Sequence, residues 1–223
     1  MNATIETSQT YGRTAVKTTI AGSGIEAAGG AAAVVLAILG LVNIAPEDML
    51  PIAAIVVGAA LLAQAGLLAA GASAIVSREN MGRREQAEFE GGVGAEALAG
   101  GAAVVLGILS LLGIEAGVLM SVAAIVLGAG LVLESGAMSR LNMLDDPRDA
   151  RMTARIAARR AVVGSESAQV LVGIAAVVLG ILALIGFDPM VLNLVAMLAV
   201  GVSIVLSGAA LGGKMASLLS TGR

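Results

Sequence analysis

The feature that most constrains this chain is a threefold internal repeat of long apolar segments. The copies read EAAGGAAAVVLAILGLVNI over residues 26–44, EALAGGAAVVLGILSLLGI over 96–114 and QVLVGIAAVVLGILALIGF over 169–187. A second apolar segment follows each copy and carries an equivalent glycine: Gly58, Gly128 and Gly201. A repeat of this length indicates that one supersecondary unit is used three times.

Each apolar segment is long enough, or nearly so, to cross a bilayer as a helix. A hydrocarbon core of about 30 Å takes roughly 20 helical residues, and backbone groups in lipid must be satisfied within the segment. The chain is 58% hydrophobic and 13% charged, against about 25% charged residues in a soluble domain. We therefore predict an all-α, polytopic membrane protein with six transmembrane helices. The predicted spans are 25–44, 50–76, 94–114, 118–139, 167–187 and 191–213.

These spans divide the chain into three tandem hairpins and four flanking segments. The hairpin repeats cover residues 25–76, 94–139 and 167–213, and the flanking segments are 1–24, 77–93, 140–166 and 214–223. The first 24 residues lack the apolar core of a signal peptide. Because each unit has an even number of spans, all three are expected to insert in the same orientation. This is a parallel repeat, unlike the inverted repeats common in secondary transporters.

The distribution of charge predicts the orientation. The loops inside the hairpins contain Glu47, Asp48, Glu115 and Asp188 and no basic residue, whereas all 13 Lys and Arg residues lie on the other side of the predicted spans. Basic residues are retained on the cytoplasmic side during insertion. We therefore expect a multi-pass protein of the prokaryotic cytoplasmic membrane with both termini and both linkers in the cytoplasm.

The residues that are missing exclude several kinds of chemistry. The chain has no Cys, His or Trp, which excludes disulfides, Cys/His metal sites and mechanisms with a cysteine nucleophile or histidine base. No pattern resembles a P-loop or a catalytic triad. We expect neither an enzyme nor a cofactor, and no nucleic-acid partner.

Polar side chains recur at two equivalent positions inside the apolar segments and form the candidate site. The first segments carry Glu26, Glu96 and Gln169, and the second segments carry Gln64, Glu134 and Ser207. Counted from the hairpin loops, the two positions differ in depth by roughly 6 Å at about 1.5 Å per residue. One polar layer in the cytoplasmic half of the membrane is therefore predicted. A charged side chain in lipid costs at least about 2.5–3.5 kcal/mol, so such residues pair or face a polar cavity.

Three interpretations of this layer stay open. It is an interhelical hydrogen-bond network that holds the hairpins together, or a proton or cation pathway with Glu134 as the proton carrier. In either case Glu96 and Glu134 belong to one unit and, if close, would share a proton. In the third interpretation Glu26 and Glu96 are acids in the first turn of a helix at the membrane surface, where the helix dipole favours them.

A basic stripe marks the linker 140–166. Asp146 and Pro147 are typical of a helix N-terminus, and arginines follow at spacings of three and four: Arg148, Arg151, Arg155 and Arg159. The pattern predicts either an interfacial helix that binds anionic lipid headgroups, at about 1 kcal/mol per arginine, or a solvated helix paired with acidic residues of the linker 77–93.

Small residues recur three to four positions apart in the first segment of each repeat. They are Ala33, Ala37 and Gly40, then Ala103, Gly107 and Ser110, then Ala176, Gly180 and Ala183. Such spacing lets helix backbones approach closely in lipid. It indicates close packing within one chain, the interface of a homo-oligomer or larger membrane complex, or both.

The three hairpins resemble the HdeD-type acid-resistance membrane proteins. The resemblance rests on Gly107-Ile108-Leu109, on Gly180-Ile181-Leu182 and on the second segments around their glycines, and it covers about residues 25–213. It implies a small, stress-linked membrane protein without catalysis and supplies no site residues. We therefore expect a non-catalytic, oligomer-forming or complex-associated membrane protein. The alternative is a proton or cation channel or transporter that uses Glu96 and Glu134.

Overall fold

A computed structural model describes the backbone of residues 24–76, 83–141 and 152–220 and the side chains of residues 24–67, 94–134 and 168–209. It contains six helices: α1 (Gly24–Leu41), α2 (Pro46–Val76), α3 (Arg83–Leu111), α4 (Ala116–Leu141), α5 (Met152–Leu184) and α6 (Pro189–Ser220). Five of them include a stretch long and apolar enough to cross a membrane, and α5 includes a shorter one, Ala168–Leu184. The predictions of an all-α chain and of a membrane-embedded protein are confirmed.

Helices α3 and α5 begin well before their predicted spans, by 11 and 15 residues. Helix α3 starts at Arg83 and α5 at Met152, inside the linkers 77–93 and 140–166. A helix was predicted in the second linker and none in the first. The extension of α3 is rich in Arg and Glu and that of α5 in Arg and Ala, all of which favour helix, and no proline interrupts either before the apolar part begins. The basic stripe lies outside the described residues, which include neither Arg148 and Arg151 nor the side chains of Arg155 and Arg159. The same holds for the segment 1–23 and residues 221–223.

The three turns that join α1 to α2, α3 to α4 and α5 to α6 share one local structure. At the end of α1, Asn43 has a φ of 67°. Its N–H donates to the carbonyl of Gly40 at 3.0 Å, and the next N–H, of Ile44, donates to the carbonyl of Leu39 at 2.9 Å. This pair of bonds is a Schellman motif, which needs a left-handed residue. The equivalent positions in the other turns are Gly113 and Gly186, with φ of 80° and 97° and the same two bonds.

Helices α2, α4 and α6 form the centre of the bundle. Each contacts the other two. Of the residues in their apolar stretches, 56%, 44% and 44% are buried, against 28% and 33% in the apolar stretches of α1 and α3. Equivalent positions of the central helices build successive apolar layers. One layer holds Val57, Leu127 and Val200, and the next holds Leu61, Leu131 and Ile204, all of them buried. The core therefore lies between α2, α4 and α6.

Pairs of glycines hold the outer helices against the central ones. A Cβ built on Gly100 of α3 would lie 2.7 Å from the carbonyl oxygen of Gly58 on α2. The equivalent approach is 2.6 Å from Gly173 to the Gly128 oxygen, and 2.7 Å from Gly30 to the Gly201 oxygen. The last pair joins α1 to α6, so the same contact also links the first and last helices.

These contacts explain the small residues of the first segments. Ala33, Ala37, Ala103 and Ala176 are fully buried within the chain. Close packing inside one chain therefore uses these faces, and a partner subunit would need another surface.

Candidate functional site: a ring of polar side chains

The polar side chains predicted to form one layer are connected by two direct hydrogen bonds between neighbouring helices. Between α4 and α5, Gln169 Nε2 donates to Glu134 Oε2 at 3.0 Å. Between α6 and α1, the hydroxyl of Ser207 donates to the carboxylate of Glu26. Each bond joins the second helix of one repeat to the first helix of another.

The remaining members are placed by the backbone contacts. Helix α3 runs antiparallel to α2, because Gly107 lies at Pro51 and Gly100 lies at Gly58. This contact is equivalent by the repeat to the contact between α4 and α5. In the contact between α2 and α3, Gln64 occupies the position of Glu134 and Glu96 occupies the position of Gln169. These two side chains therefore also lie opposite each other.

Two further contacts, together with the packing of α5 on α6, close the circle. A Cβ on Gly29 of α1 would meet the Cβ of Ala60 on α2, and one on Gly130 of α4 would lie 2.7 Å from the Cβ of Ala99 on α3. Glu26 and Gln64 lie about one helical turn from the first contact. Glu96 and Glu134 lie about one turn from the second, toward the same end of the bundle. The order around the bundle is Glu26, Gln64, Glu96, Glu134, Gln169 and Ser207, and we call this set the polar ring.

Part of the polar ring lacks hydrogen-bond partners. Glu26, Gln64 and Glu96 are 2%, 4% and 3% exposed. The atoms Glu26 Oε2, Gln64 Oε1 and Glu96 Oε1 have no hydrogen-bond partner. They are three consecutive members of the ring, on α1, α2 and α3. An unsatisfied buried acceptor costs about 1–3 kcal/mol, and more when it is charged, so this side of the ring needs donors.

The carboxylates are also close to one another. Glu96 interacts electrostatically with Glu26 and Glu134, and Glu26 with Glu134. No Lys or Arg occurs among the residues whose side chains are described. Negative charge on this ring is therefore not balanced by any described basic side chain.

One expectation from the sequence needs correction. Glu96 is not a first-turn acid, because α3 begins at Arg83 and Glu96 lies well inside the helix. Glu96 of the same hairpin interacts electrostatically with Glu134, and the hydrogen bond of Glu134 goes to Gln169 of the next repeat. The reason is the close approach of α4 and α5 at Gly128 and Gly173.

A second polar contact, near the opposite end of the bundle, was not anticipated. The fully buried Asn193 donates through Nδ2 to Ser121 Oγ at 3.0 Å, and Ser121 Oγ donates to the Gly117 carbonyl at 2.8 Å. Asn193 Oδ1 has no hydrogen-bond partner. The signal was present in the repeat, since Asn193 occupies the position held by Leu50 and Met120 in the other copies.

Comparison with protein families, characterised proteins and solved structures finds no match to this chain. The likeness to HdeD-type proteins therefore stays an expectation from the sequence. Among the described residues, no group of three acidic side chains is arranged to hold a metal ion.

Proposed function

We propose that this protein is a non-catalytic structural subunit of the prokaryotic cytoplasmic membrane. In this proposal it crosses the bilayer six times as three tandem hairpins of equal orientation, with both termini in the cytoplasm. It acts as a homo-oligomer or within a larger membrane complex.

The observation that carries the structural role is the apolar core next to the polar ring. Leu61, Leu131 and Ile204 stand one turn from the ring, toward the hairpin turns, and are 4%, 3% and 1% exposed. The layer of Val57, Leu127 and Val200 follows, at 0%, 1% and 0%. Protein interiors packed in this way leave few voids larger than a water molecule. Such a core favours a sealed bundle over a conducting pore.

Equivalent contacts support the sixth span and the hairpin repeat. The apolar stretch Ala168–Leu184 is shorter than the other five. It nevertheless packs on α4 through Gly173 and Gly180, as α3 packs on α2 through Gly100 and Gly107. Helix α5 is continuous through 18 residues of the predicted span, 167–184, close to the roughly 20 residues that a span requires.

A flux measurement tests the sealed-bundle proposal. Purified protein is reconstituted in liposomes loaded with a pH-sensitive dye, and a proton gradient is applied with and without a potassium diffusion potential. The expected result is a leak equal to that of protein-free liposomes, with a protonophore as the positive control. The particle mass, measured in nanodiscs, should exceed that of one chain. Sustained proton or cation flux would overturn the structural proposal.

A proton or cation pathway is the second candidate, and the unpartnered oxygens favour it. Glu26, Gln64 and Glu96 each have one buried side-chain oxygen without a hydrogen-bond partner. Glu134 is the next member of the ring. A site that exchanges protons or cations requires such groups. In this case Glu134→Gln would abolish the flux while the fold survives.

A further inference from the structure

We propose that the three turns of the bundle insert apolar side chains into the membrane leaflet at their end, at the boundary between hydrocarbon and lipid headgroups. The partner is lipid, and each turn contributes two side chains to the contact. This set, which we call the turn surface, consists of Val42, Ile44, Leu112, Ile114, Ile185 and Phe187. The inference rests on the membrane position in the proposed function and adds which residues meet the lipid boundary.

The turn surface is apolar and exposed, and it lies just beyond the helices. Its side chains are 60%, 52%, 71%, 49%, 64% and 64% exposed, in chain order. They follow Leu41, Leu111 and Leu184, the last residues of α1, α3 and α5. An apolar patch of this kind marks contact with a membrane or with another protein, and the following observations select the membrane.

The turn surface continues an apolar stripe along each outer helix. On α3, Val105, Ile108 and Leu112 are 55%, 46% and 71% exposed, and their spacings of three and four residues place them on one face. The equivalent residues of the other repeats form the same exposed stripe on α1 and α5. Lipid that covers these stripes therefore reaches the turns without a break.

The backbone of the turns suits contact with lipid. The N–H groups of residues 112–114 all donate to carbonyls in the last turn of α3, at 3.0 to 3.2 Å. Residues 42–44 and 185–187 make the same three bonds at the ends of α1 and α5. A backbone N–H group without a partner costs several kcal/mol in hydrocarbon. Because these groups are paired, the turns can approach the acyl chains.

Acidic residues begin directly beyond the turn surface. Glu115 and Asp188 each follow the last turn-surface residue of their repeat, and Glu47 comes three residues after Ile44. All three acids are exposed. Since carboxylates are costly in hydrocarbon, the change from apolar to acidic side chains marks where the hydrocarbon ends.

The lengths of the outer helices agree with this boundary. The apolar stretches of α1 and α3 have 18 residues, and Ala168–Leu184 of α5 has 17. At about 1.5 Å per residue they measure about 26 to 27 Å, short of a hydrocarbon core of about 30 Å. The turn surface supplies the missing apolar length. It also supplies the boundary contact that Trp and Tyr usually make, since the chain has no Trp and a single Tyr, Tyr11.

Tryptophan fluorescence in proteoliposomes tests the proposal, because the chain contains no tryptophan. Full-length variants with one tryptophan each are reconstituted in phosphatidylcholine vesicles. The vesicles contain phosphatidylcholine brominated near either the headgroup or the methyl end of its acyl chains, and acrylamide on both sides measures access to water. Leu112→Trp is the test variant. Val105→Trp, on the same stripe, is the hydrocarbon control, and Glu47→Trp is the water control.

Lipid brominated near the headgroup should quench Leu112→Trp most strongly. Lipid brominated near the methyl end should quench Val105→Trp most strongly, because Val105 lies seven residues, or about 10 Å, further from the turn. Acrylamide should quench Glu47→Trp strongly and Leu112→Trp weakly. Ile185→Trp, at the equivalent position of the third repeat, should behave as Leu112→Trp and replaces it if that variant does not fold. Circular dichroism establishes the fold of each variant.

Two results would overturn the inference. Strong acrylamide quenching of Leu112→Trp and Ile185→Trp, without quenching by brominated lipid, would show that the turns project into water. Quenching by neither reagent would show that protein, such as a second copy of the chain, covers the turn surface. Val105→Trp distinguishes both results from a failure of the proposed membrane position, because only then would this control also escape the brominated lipids.

Discussion

Gly58 of α2 and Gly100 of α3 lie so close that a Cβ on Gly100 would stand 2.7 Å from the carbonyl oxygen of Gly58. The obstacle is backbone, which cannot rotate away as a side chain can. The contact therefore requires glycine on both sides. It is the clearest point at which a single methyl group would force two helices apart.

Gly100→Ala should lower the free energy of unfolding by about 1–3 kcal/mol, the usual cost of overpacking a tight contact. The matched control is Gly66→Ala on α2, where a Cβ would meet nothing within 4 Å. The control should be neutral or stabilising, because Ala favours helix over Gly by about 1 kcal/mol. Thermal unfolding in a mild detergent measures both. Equal midpoints for the two variants would contradict the glycine contact.

Gly107→Leu should prevent normal folding. A Cβ there would lie 2.6 Å from Ile55 Cγ1 and 2.9 Å from the Pro51 carbonyl oxygen, and leucine adds three further carbons. Gly101→Leu on the same helix is the control, since its Cβ would meet only Leu62 Cδ2, at 3.9 Å. Size-exclusion chromatography of the detergent-purified variants should show a monodisperse peak for Gly101→Leu and aggregation or loss of protein for Gly107→Leu. A normal peak for both would refute this packing.

Replacement of Glu134 separates a hydrogen bond from a titratable proton. Glu134→Gln keeps an oxygen that can accept from Gln169 Nε2 and should leave stability nearly unchanged. Glu134→Leu removes the acceptor and should cost about 1–2 kcal/mol, as for other interhelical bonds in membranes. Unfolding midpoints and liposome flux are measured on the same preparations. If neither variant changes stability or flux, the polar ring is neither a clamp nor a pathway.

Asn193→Met should keep or raise stability, by up to about 1 kcal/mol. Methionine is the residue of the second repeat at this position, Met120, which is 1% exposed. The substitution removes the unpartnered Asn193 Oδ1, and Ser121 retains its bond to the Gly117 carbonyl. Replacing an incompletely satisfied polar group by an apolar one is often neutral or favourable. A clear fall in the unfolding midpoint would show that the bond from Asn193 to Ser121 outweighs this penalty.

The topology can be tested directly because the chain has no cysteine. Single cysteines at Ser8, Gln86, Thr153 and Ser220 should resist an impermeant thiol reagent applied to intact cells. A cysteine at Glu47, which is exposed at the turn between α1 and α2, should react. Permeabilised cells provide the control for each site, since all five should then be labelled. Labelling of Gln86 or Thr153 variants from outside intact cells would refute the proposed orientation.

The sequence predicted the helical class and the apolar stretches because both follow from hydropathy and from the repeat. It did not predict that α3 begins at Arg83, since an Arg- and Glu-rich segment is compatible with either a helix or a solvated linker. It did predict a helix in the linker 140–166, but as an element separate from the span that follows. The members of the polar ring could be named from equivalent positions. Their partners could not, because the bond from Gln169 to Glu134 depends on how α5 packs on α4, and short-range sequence patterns do not encode packing between repeats. In the sequence, Asn193 differs from the other copies only in being polar where they have the apolar residues Leu50 and Met120.

The contact between Gly30 and Gly201 bears on the order of the helices along the chain. It is equivalent to the glycine contacts between α2 and α3 and between α4 and α5. Those helices are consecutive in the sequence, whereas α1 and α6 are the first and the last. Every helix therefore has equivalent neighbours whichever helix comes first. A circular permutant that begins at α3, ends at α2 and joins residue 223 to residue 1 through a linker would retain all three glycine pairs. The three glycine pairs are thus compatible with three cyclic orders of the helices along the chain.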